Sequence, residues 1–525
     1  MTLGTTIHKL RNEAKLTQEQ FAAIFHVSQQ SVQKWENGTS TPDLEKLIKM
    51  SKYFDVSLDA LILSNDNCVV EEMNRTKVIK PQYESIHNWE FYSSNLTIEY
   101  QQSVEEGLDI EAYKEVFSSV SMLPKGEIKK KLGDVLFEIV SNASQKEGYP
   151  YLEPSELNRI RELRKPAAIA KKEKKITAES MIRGAWLGRI CGCMLGKTVE
   201  GIRTNELIPF LKETGNYPMH RYIYKSDLND EILSKYKFAF ANRPYADEID
   251  SMPVDDDTNY TVMAQKIIEQ YGREFTPFDV SRTWLSDQSK NAYCTAERVA
   301  FCNFVKGYAP PESAIYKNPY REWIGAQIRG DYFGYVNPGD PEAAADMAWR
   351  DASISHIKNG IYGEMFVAAM LAVAAVTDDI ESILLGGLGE IPHTSRLYEA
   401  VMRVIDGYKN GVSQKECFHK IHAEYDEYSV HGWCHTISNA MIVAASLLYG
   451  EGDYGRSICM AVETGFDTDC NGATVGSILG MAFGADAIPS YWTDPIGDTL
   501  HTSIFEVGIV RISDCVAKTL AHIKE

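Results

Sequence analysis

The stretch Gly465–Gly476, GFDTDCNGATVG, puts oxygen-bearing side chains on alternate positions (Asp467, Asp469, Asn471) and follows them with Gly472. An EF-hand calcium loop opens in this way, and counting tests the likeness, because position 12 of such a loop must supply a bidentate glutamate. Here position 12 is Ile478. The chain runs on as ATVGSILGMAFG (473–484), small and apolar, which suits a tightly packed helix and not a calcium loop. The stretch therefore reads as two carboxylates at the start of a buried helix.

The surroundings repeat this pattern. From about 176 to the end the sequence is helical in periodicity and rich in alanine and glycine. SRLYEAVMRVIDGYKNG sets Leu397, Val401, Val404, Ile405 and Tyr408 on one helical stripe. SNAMIVAASLLYGEGD reads as a buried helix ending in a turn, and FVAAMLAVAAV (366–376) as another, about half the length a bilayer requires. Strand-like alternation is scarce, so the expected fold class is all-α. Residues 66–175 read as a helical connecting region, with amphipathic EIKKKLGDVLFEIVSNA, a helix after Pro154, and the lysine-rich KPAAIAKKEKK as an exposed, solvated connector.

Residues 1–65 form a unit of their own. In TQEQFAAIFHVSQQSVQKWENG, Thr17 and Gln20 make a capping box, Phe21, Ala22, Ile24 and Phe25 an apolar face, and Ser28 the cap of a second helix. Val32 and Trp35 face back to the core, Asn37-Gly38 ends that helix, and Pro42 starts a further pair of short helices. The segment resembles the phage-repressor-like helix-turn-helix domains. In that geometry the second helix enters the major groove, so Gln29, Gln30 and Gln33 are expected to pair with adenine, and Ser31 and Lys34 to reach a base edge or phosphate. The alternative use of such a domain is protein interaction. Such domains bind paired half-sites as dimers, and a homodimer on a DNA operator is the corresponding expectation.

Net charge is −19, so the whole chain is no generic polyanion binder, and nucleic-acid contact must come from a local surface. The seven basic and seven acidic residues of 1–65 balance, which leaves that unit less acidic than the rest. Ten irregularly spaced cysteines without a CxxC pair, and an N-terminus without an apolar leader, point to reduced thiols and a cytoplasmic protein with no membrane partner. Cys191 and Cys193 read as small core residues.

A second acidic cluster, Asp255, Asp256 and Asp257 in PVDDDTNYTVMAQKIIEQY, opens an amphipathic helix. Each cluster alone reads as helix caps. Three consecutive carboxylates exceed what one cap needs, however, and five drawn together require a compensating cation, for which hard divalent ions such as Mg²⁺ or Mn²⁺ are suited. DDT before one helix and DTDCNGATVGSILG at another resemble the ADP-ribosylglycohydrolase family. RGAWLGRICGCMLGKTVEG (183–201), NPGDPEAAADMAWRDASISHIKNGIYGEMFVAAM (337–370) and HTISNAMIVAASLLYGEGD (435–453) carry the likeness over about 350 residues, from 176 to 525.

The resemblance implies an all-helical domain with a binuclear Mg²⁺ centre, Mn²⁺ being the alternative, that cleaves the C1″ glycosidic bond of ADP-ribosylated substrates. It makes Asp255, Asp256, Asp257, Asp467 and Asp469 the metal ligands, with Asp256 and Asp257 catalytic as well. It sets Glu200, in GKTVEG, beside the substrate ribose for proton transfer as water attacks C1″. SISHIKNGIYG becomes the substrate loop, with Ser355, His356 and Gly360 at the diphosphate; His356 either contacts substrate or caps a turn. Two positions depart from the commoner family pattern: Asp255 stands for a threonine, and Cys470 puts a soft ligand where a hydroxyl would suit Mg²⁺. Asp378 and Asp379 in VTDDIESILLGG read as an ordinary helix start. Two other functions fit the residues: a transcriptional regulator whose hydrolase-like half senses ADP-ribose or a related nucleoside, and a hydrolase of another riboside.

Overall fold

The structure, a computed structural model, describes residues 3–54, 56, 58, 61, 87–169, 172 and 174–524. Two compact units, Met1–Pro81 and Gln82–Glu525, divide the chain.

The first unit is built from α1 (Leu3–Glu13), α2 (Gln18–Phe25), α3 (Gln29–Glu36) and α4 (Leu44–Tyr53). Thr17 and Gln20 close the expected capping box on α2, and the Ser28 hydroxyl accepts from the Ser31 amide at the start of α3. Phe21, Ala22, Phe25, Val32 and Trp35 meet Ile7 and Met50 in one apolar core. Arg11 of α1 pairs with Glu36 at 2.6 Å and locks the end of α3. Asp43, directly after Pro42, caps α4: its carboxylate accepts the Lys46 amide at 2.8 Å. Most of the short helix expected after Tyr53, and the 65/66 boundary, fall outside the described residues.

The second unit is also helical. Its strands, among the described residues, are β1 (Thr499–His501) and β2 (Ile509–Arg511), an antiparallel pair with Leu500 opposite Val510. The helices that place the site are α5 (Leu96–Glu105), α6 (Glu127–Ser141), α7 (Ala178–Lys197), α8 (Asp256–Tyr271), α9 (Lys358–Ala374), α10 (Arg396–Lys409), α11 (Thr436–Gly450) and α12 (Thr468–Phe483). Every residue of α9 from Asn359 to Ala374 is buried, as is all of α11. In α10 the stripe Leu397, Val401, Val404 and Ile405 faces inward as its periodicity predicts. No helix among the described residues is long and apolar enough to cross a membrane.

The centre of this unit is the antiparallel pair α7–α12. Gly184, Gly188, Gly192 and Gly196 recur every fourth residue on α7, and Gly472, Gly476 and Gly480 on α12. Side chains four apart share one helix face, so each helix presents a bare backbone stripe to the other. The stripes touch. A Cβ at Gly188 would lie 2.8 Å from the Gly476 carbonyl carbon, and one at Gly192 would lie 2.5 Å from that of Gly472. At the far end a Cβ on Gly196 would overlap the backbone of Thr468 and Asp469. This close approach sets the C-terminus of α7 against the N-terminus of α12, where Asp467 and Asp469 stand.

The described residues 87–169, read from sequence as a connector, belong to the second unit. Arg321 is buried between Glu99 (2.8 Å) and Glu106 (2.6 Å), and Gln102 donates to Glu322 at 2.5 Å. Paired charge of this kind stays buried only because every partner is supplied. In the lysine-rich stretch, Lys174 is not simply solvated. Lys172 pairs with Asp378, while Lys174 donates to the carbonyls of Ala374, Met481 and Ala482, at the C-termini of α9 and α12. Terminal carbonyls there lack helical partners and carry the negative end of the dipole, which is where a lysine head group is stabilised.

Candidate metal centre

Asp255 caps α8 and accepts the Asp257 amide at 2.9 Å, which turns Asp256 and Asp257 into the first helical turn. Opposite, the chain enters α12 through two consecutive left-handed residues, Gly465 (φ +75°) and Phe466 (φ +60°). Glycine suits the first: a Cβ would lie 2.7 Å from Glu427 Oε2, so that side chain would have to shift, and the conformation itself disfavours side chains. Phe466 tolerates it because its carbonyl is held by the Trp433 indole N–H. The strained entry aims Asp467 and Asp469 at the other acidic turn.

The two remote turns meet. One carboxylate oxygen each from Asp255, Asp256, Asp257 and Asp469 lie mutually within 4.8 Å, and Asp467 forms a like group with Asp469 and Cys470. Positive charge there is short. Lys197 pairs with Asp255 at 2.7 Å, and Arg189 reaches Asp257 at 3.1 Å while also holding Asp331 at 2.8 Å. Asp257 Oδ2 and Asp469 Oδ1 are buried without any hydrogen-bond partner. Burial first, then the neighbouring carboxylates, push Asp256 and Asp469 well above the ordinary carboxylate range, and Asp257 too, against the pull of Arg189. A set of hard oxygen donors, short of positive charge and with orphaned lone pairs, fits divalent cations of the Mg²⁺ class.

Glu200 stands at the rim, its side chain 40 % exposed, with Arg243 at 4.0 Å. Burial within the rim, then the charges of Asp467 and Asp255, push its carboxyl up to about 7. Arg203 stacks on the Trp433 ring at 4.7 Å nearby. Ser355 and His356 lie deeper, both fully buried. Ser355 Oγ meets His356 Nδ1 at 2.8 Å and accepts from Arg329 at 3.1 Å, whereas His356 Nε2 has no partner. Gly360 packs so closely that a Cβ would lie 2.6 Å from the Arg321 carbonyl oxygen. Asp379 is the ordinary cap it was read to be, accepting the Ser382 amide at 3.0 Å. In the first unit Gln29, Gln30, Gln33 and Lys34 are exposed, and Ser31 is half-buried against Ser28.

Sequence reasoning missed Arg189, Cys193 and Lys197 as neighbours of the acidic turns. A signal was present: they follow one another at four-residue steps, a polar stripe beside the glycine stripe of α7. Asp331 carried none.

Glu105, His431 and His435 also bring ligand atoms within 4.8 Å. Proton bookkeeping argues against a metal there. Trp323 Nε1 donates to His431 Nδ1 at 3.0 Å and the Ile437 amide to His435 Nδ1 at 3.1 Å, so each ring carries its proton on Nε2. His431 Nε2 donates to Glu105 Oε2 at 2.9 Å, and His435 Nε2, 3.6 Å from the same oxygen, is buried without a hydrogen-bond partner; a protonated nitrogen is no ligand. Burial holds His435 down at about 4. A base with a lowered folded-state pKa contributes stability that is present above its unfolded value near 6.5 and is lost as pH falls through the folded one. Between pH 6.5 and 4 the chain is therefore expected to lose roughly 3 kcal/mol through this residue. His435→Asn keeps an acceptor for the Ile437 amide and should remove that part of the slope in urea titrations across the same range; an unchanged slope would contradict the assignment.

A family model described as ADP-ribosylglycohydrolase matches residues 174–519, and one described as helix-turn-helix matches residues 7–61. A curated relative, the HTH-type transcriptional activator BcrR of Enterococcus faecalis, is 32% identical over 87 residues, 17% of this chain and 43% of its own. The chain thus spans less than half the length of that relative. A solved structure titled "ADP-ribosylglycohydrolase-related protein complex" is similar with a TM-score of 0.43 at 19% identity, covering 66% of this chain and 98% of that one.

Proposed function

Because this chain belongs to the ADP-ribosylglycohydrolase family and carries a helix-turn-helix DNA-binding domain before that region, we propose that it is a cation-dependent hydrolase that cleaves the C1″ glycosidic bond of an ADP-ribosylated substrate. The observation that carries the reading is the convergence of the two acidic turns with buried, unpartnered oxygens on Asp257 and Asp469. Asp255, Asp256, Asp257, Asp467 and Asp469 would hold two Mg²⁺ ions, or Mn²⁺ in their place. When bound, such ions would neutralise the carboxylates and supply Lewis acidity for the ribose hydroxyls and for the attacking water.

The chain's own groups do the remainder. Glu200, whose carboxyl is raised by burial and then by the charges of Asp467 and Asp255, is assigned as the proton donor to the leaving atom. Lys197 holds Asp255 in place through an ion pair of 2.7 Å. Arg203 and Arg243 set positive charge at the rim, where a diphosphate is attracted. Ser355, His356 and Gly360 are assigned to the diphosphate wall, where Ser355 Oγ and His356 Nδ1 meet at 2.8 Å.

The test is release of free ADP-ribose from arginine-, serine- and nucleobase-linked substrates by the full chain with Mg²⁺ or Mn²⁺. Release from one linkage supports the reading; none from any, with either metal bound, overturns it.

For the DNA-binding half we assign base reading to Gln29, Gln30, Ser31 and Gln33, and phosphate contact to Lys34. Gln33→Ala is expected to cost about 1–3 kcal/mol at one base pair and relax preference there. Lys34→Ala should weaken binding on all sequences and lower the salt slope by about 1. Gel shifts over a salt series separate the two, and equal loss from both variants on every sequence would remove the base-reading assignment.

A further inference from the structure

Each acidic turn has a thiol beside it. Cys193 Sγ lies within 4.8 Å of an oxygen of Asp255 and one of Asp257, and Cys470 Sγ within 4.8 Å of oxygens of Asp467 and Asp469. Both cysteines are buried. They come from the two glycine-striped helices, Cys193 next to Gly192 of α7 and Cys470 two residues before Gly472 of α12. The seam that brings the carboxylates together therefore brings the sulfurs to them. Each sulfur-bearing group also contains an orphaned oxygen, Asp257 Oδ2 in one and Asp469 Oδ1 in the other.

Carboxylates alone select hard cations, whereas a thiolate added to them shifts preference toward softer ones, and divalent zinc and cadmium bind such mixed sets well. We propose that Cys193 and Cys470 make this centre a mixed oxygen–sulfur site that takes a thiophilic divalent cation, of the Zn²⁺ or Cd²⁺ class, on the same aspartates assigned to Mg²⁺. On binding, each S–H bond is replaced by a sulfur–metal bond and its proton passes to solvent; no oxidation state changes. This rests on the reading that the acidic centre holds divalent cations, and the experiment separates the two.

Metal-free full-length protein is titrated with Cd²⁺ while retained cadmium per chain and sulfur-to-cadmium charge-transfer absorption in the ultraviolet are both recorded. The wild type should retain cadmium and show the band. Cys470→Thr and Cys193→Ala should each remove roughly half of it, and the double variant all of it, with carboxylate-bound cadmium still retained. Cys193→Ser serves as the second variant if alanine at this packed position unfolds the chain, as checked by circular dichroism in chelator. Asp469→Asn should diminish band and retention together. Cadmium retained with a band the double variant keeps, or with no band, overturns the sulfur assignment and leaves the cation reading intact. Retention no greater in wild type than in Asp469→Asn overturns both.

Discussion

Asp256→Asn is expected to reduce ADP-ribose release by about three orders of magnitude while making the metal-free protein more stable. The two effects have one cause. Asp256 is held well above the ordinary carboxylate range by burial and then by the charges of Asp255 and Glu200, so its ionised form is a burden on the folded state in the absence of a cation. An amide of the same shape removes one of the like charges drawn together there, and metal-free stability should rise by about 1 kcal/mol. Cation binding reverses the order. At about one hundred times its dissociation constant a ligand stabilises by about 2.7 kcal/mol, a gain the wild type should show with Mg²⁺ and the variant should largely lack. Thermal unfolding with chelator and with Mg²⁺, beside the release assay, gives all three numbers. A variant less stable than wild type in chelator would mean the aspartate is a structural cap, and retained release would end its catalytic assignment.

Gly192→Ala is expected to cost about 3 kcal/mol and to lower activity with it, although it adds one methyl group. That methyl carbon would lie 2.5 Å from the Gly472 carbonyl carbon, and backbone on both sides leaves nothing flexible to yield. Separating α7 from α12 by the missing ångström would also draw Lys197 and Cys193 away from Asp467 and Asp469. The matched control is Gly407→Ala in α10, where the nearest atom to a new Cβ is 3.7 Å away. There the better helix propensity of alanine should stabilise by about 0.5–1 kcal/mol. Opposite signs for one chemical change, measured by urea unfolding, would establish the helix seam; equal signs would sink it.

Much was readable without coordinates. The Thr17–Gln20 box, the Ser28 cap, the inward stripe of α10 and the buried run of α9 all follow from neighbours within a few residues, where period and capping chemistry act. The reading failed where partners are remote. Lys174 in a lysine-rich stretch looked solvated because the carbonyls it caps belong to α9 and α12, two and three hundred positions on. Cys193 looked like filler for the same reason, since its companions Asp255 and Asp257 are on another helix.

Sequence by itself therefore determined which segments are helices, which faces are apolar and which carboxylates stand at helix starts, because hydrogen-bond capping and hydrophobic period are short-range. Only the tertiary structure decided that the carboxylates of 255–257 and of 467 and 469 share one small volume, with two thiols, one lysine and a shared arginine around them. Charge repulsion, raised carboxyl pKa values and affinity for a divalent ion depend on separation in space. That separation is set by two bare glycine stripes whose complementarity no local pattern displays.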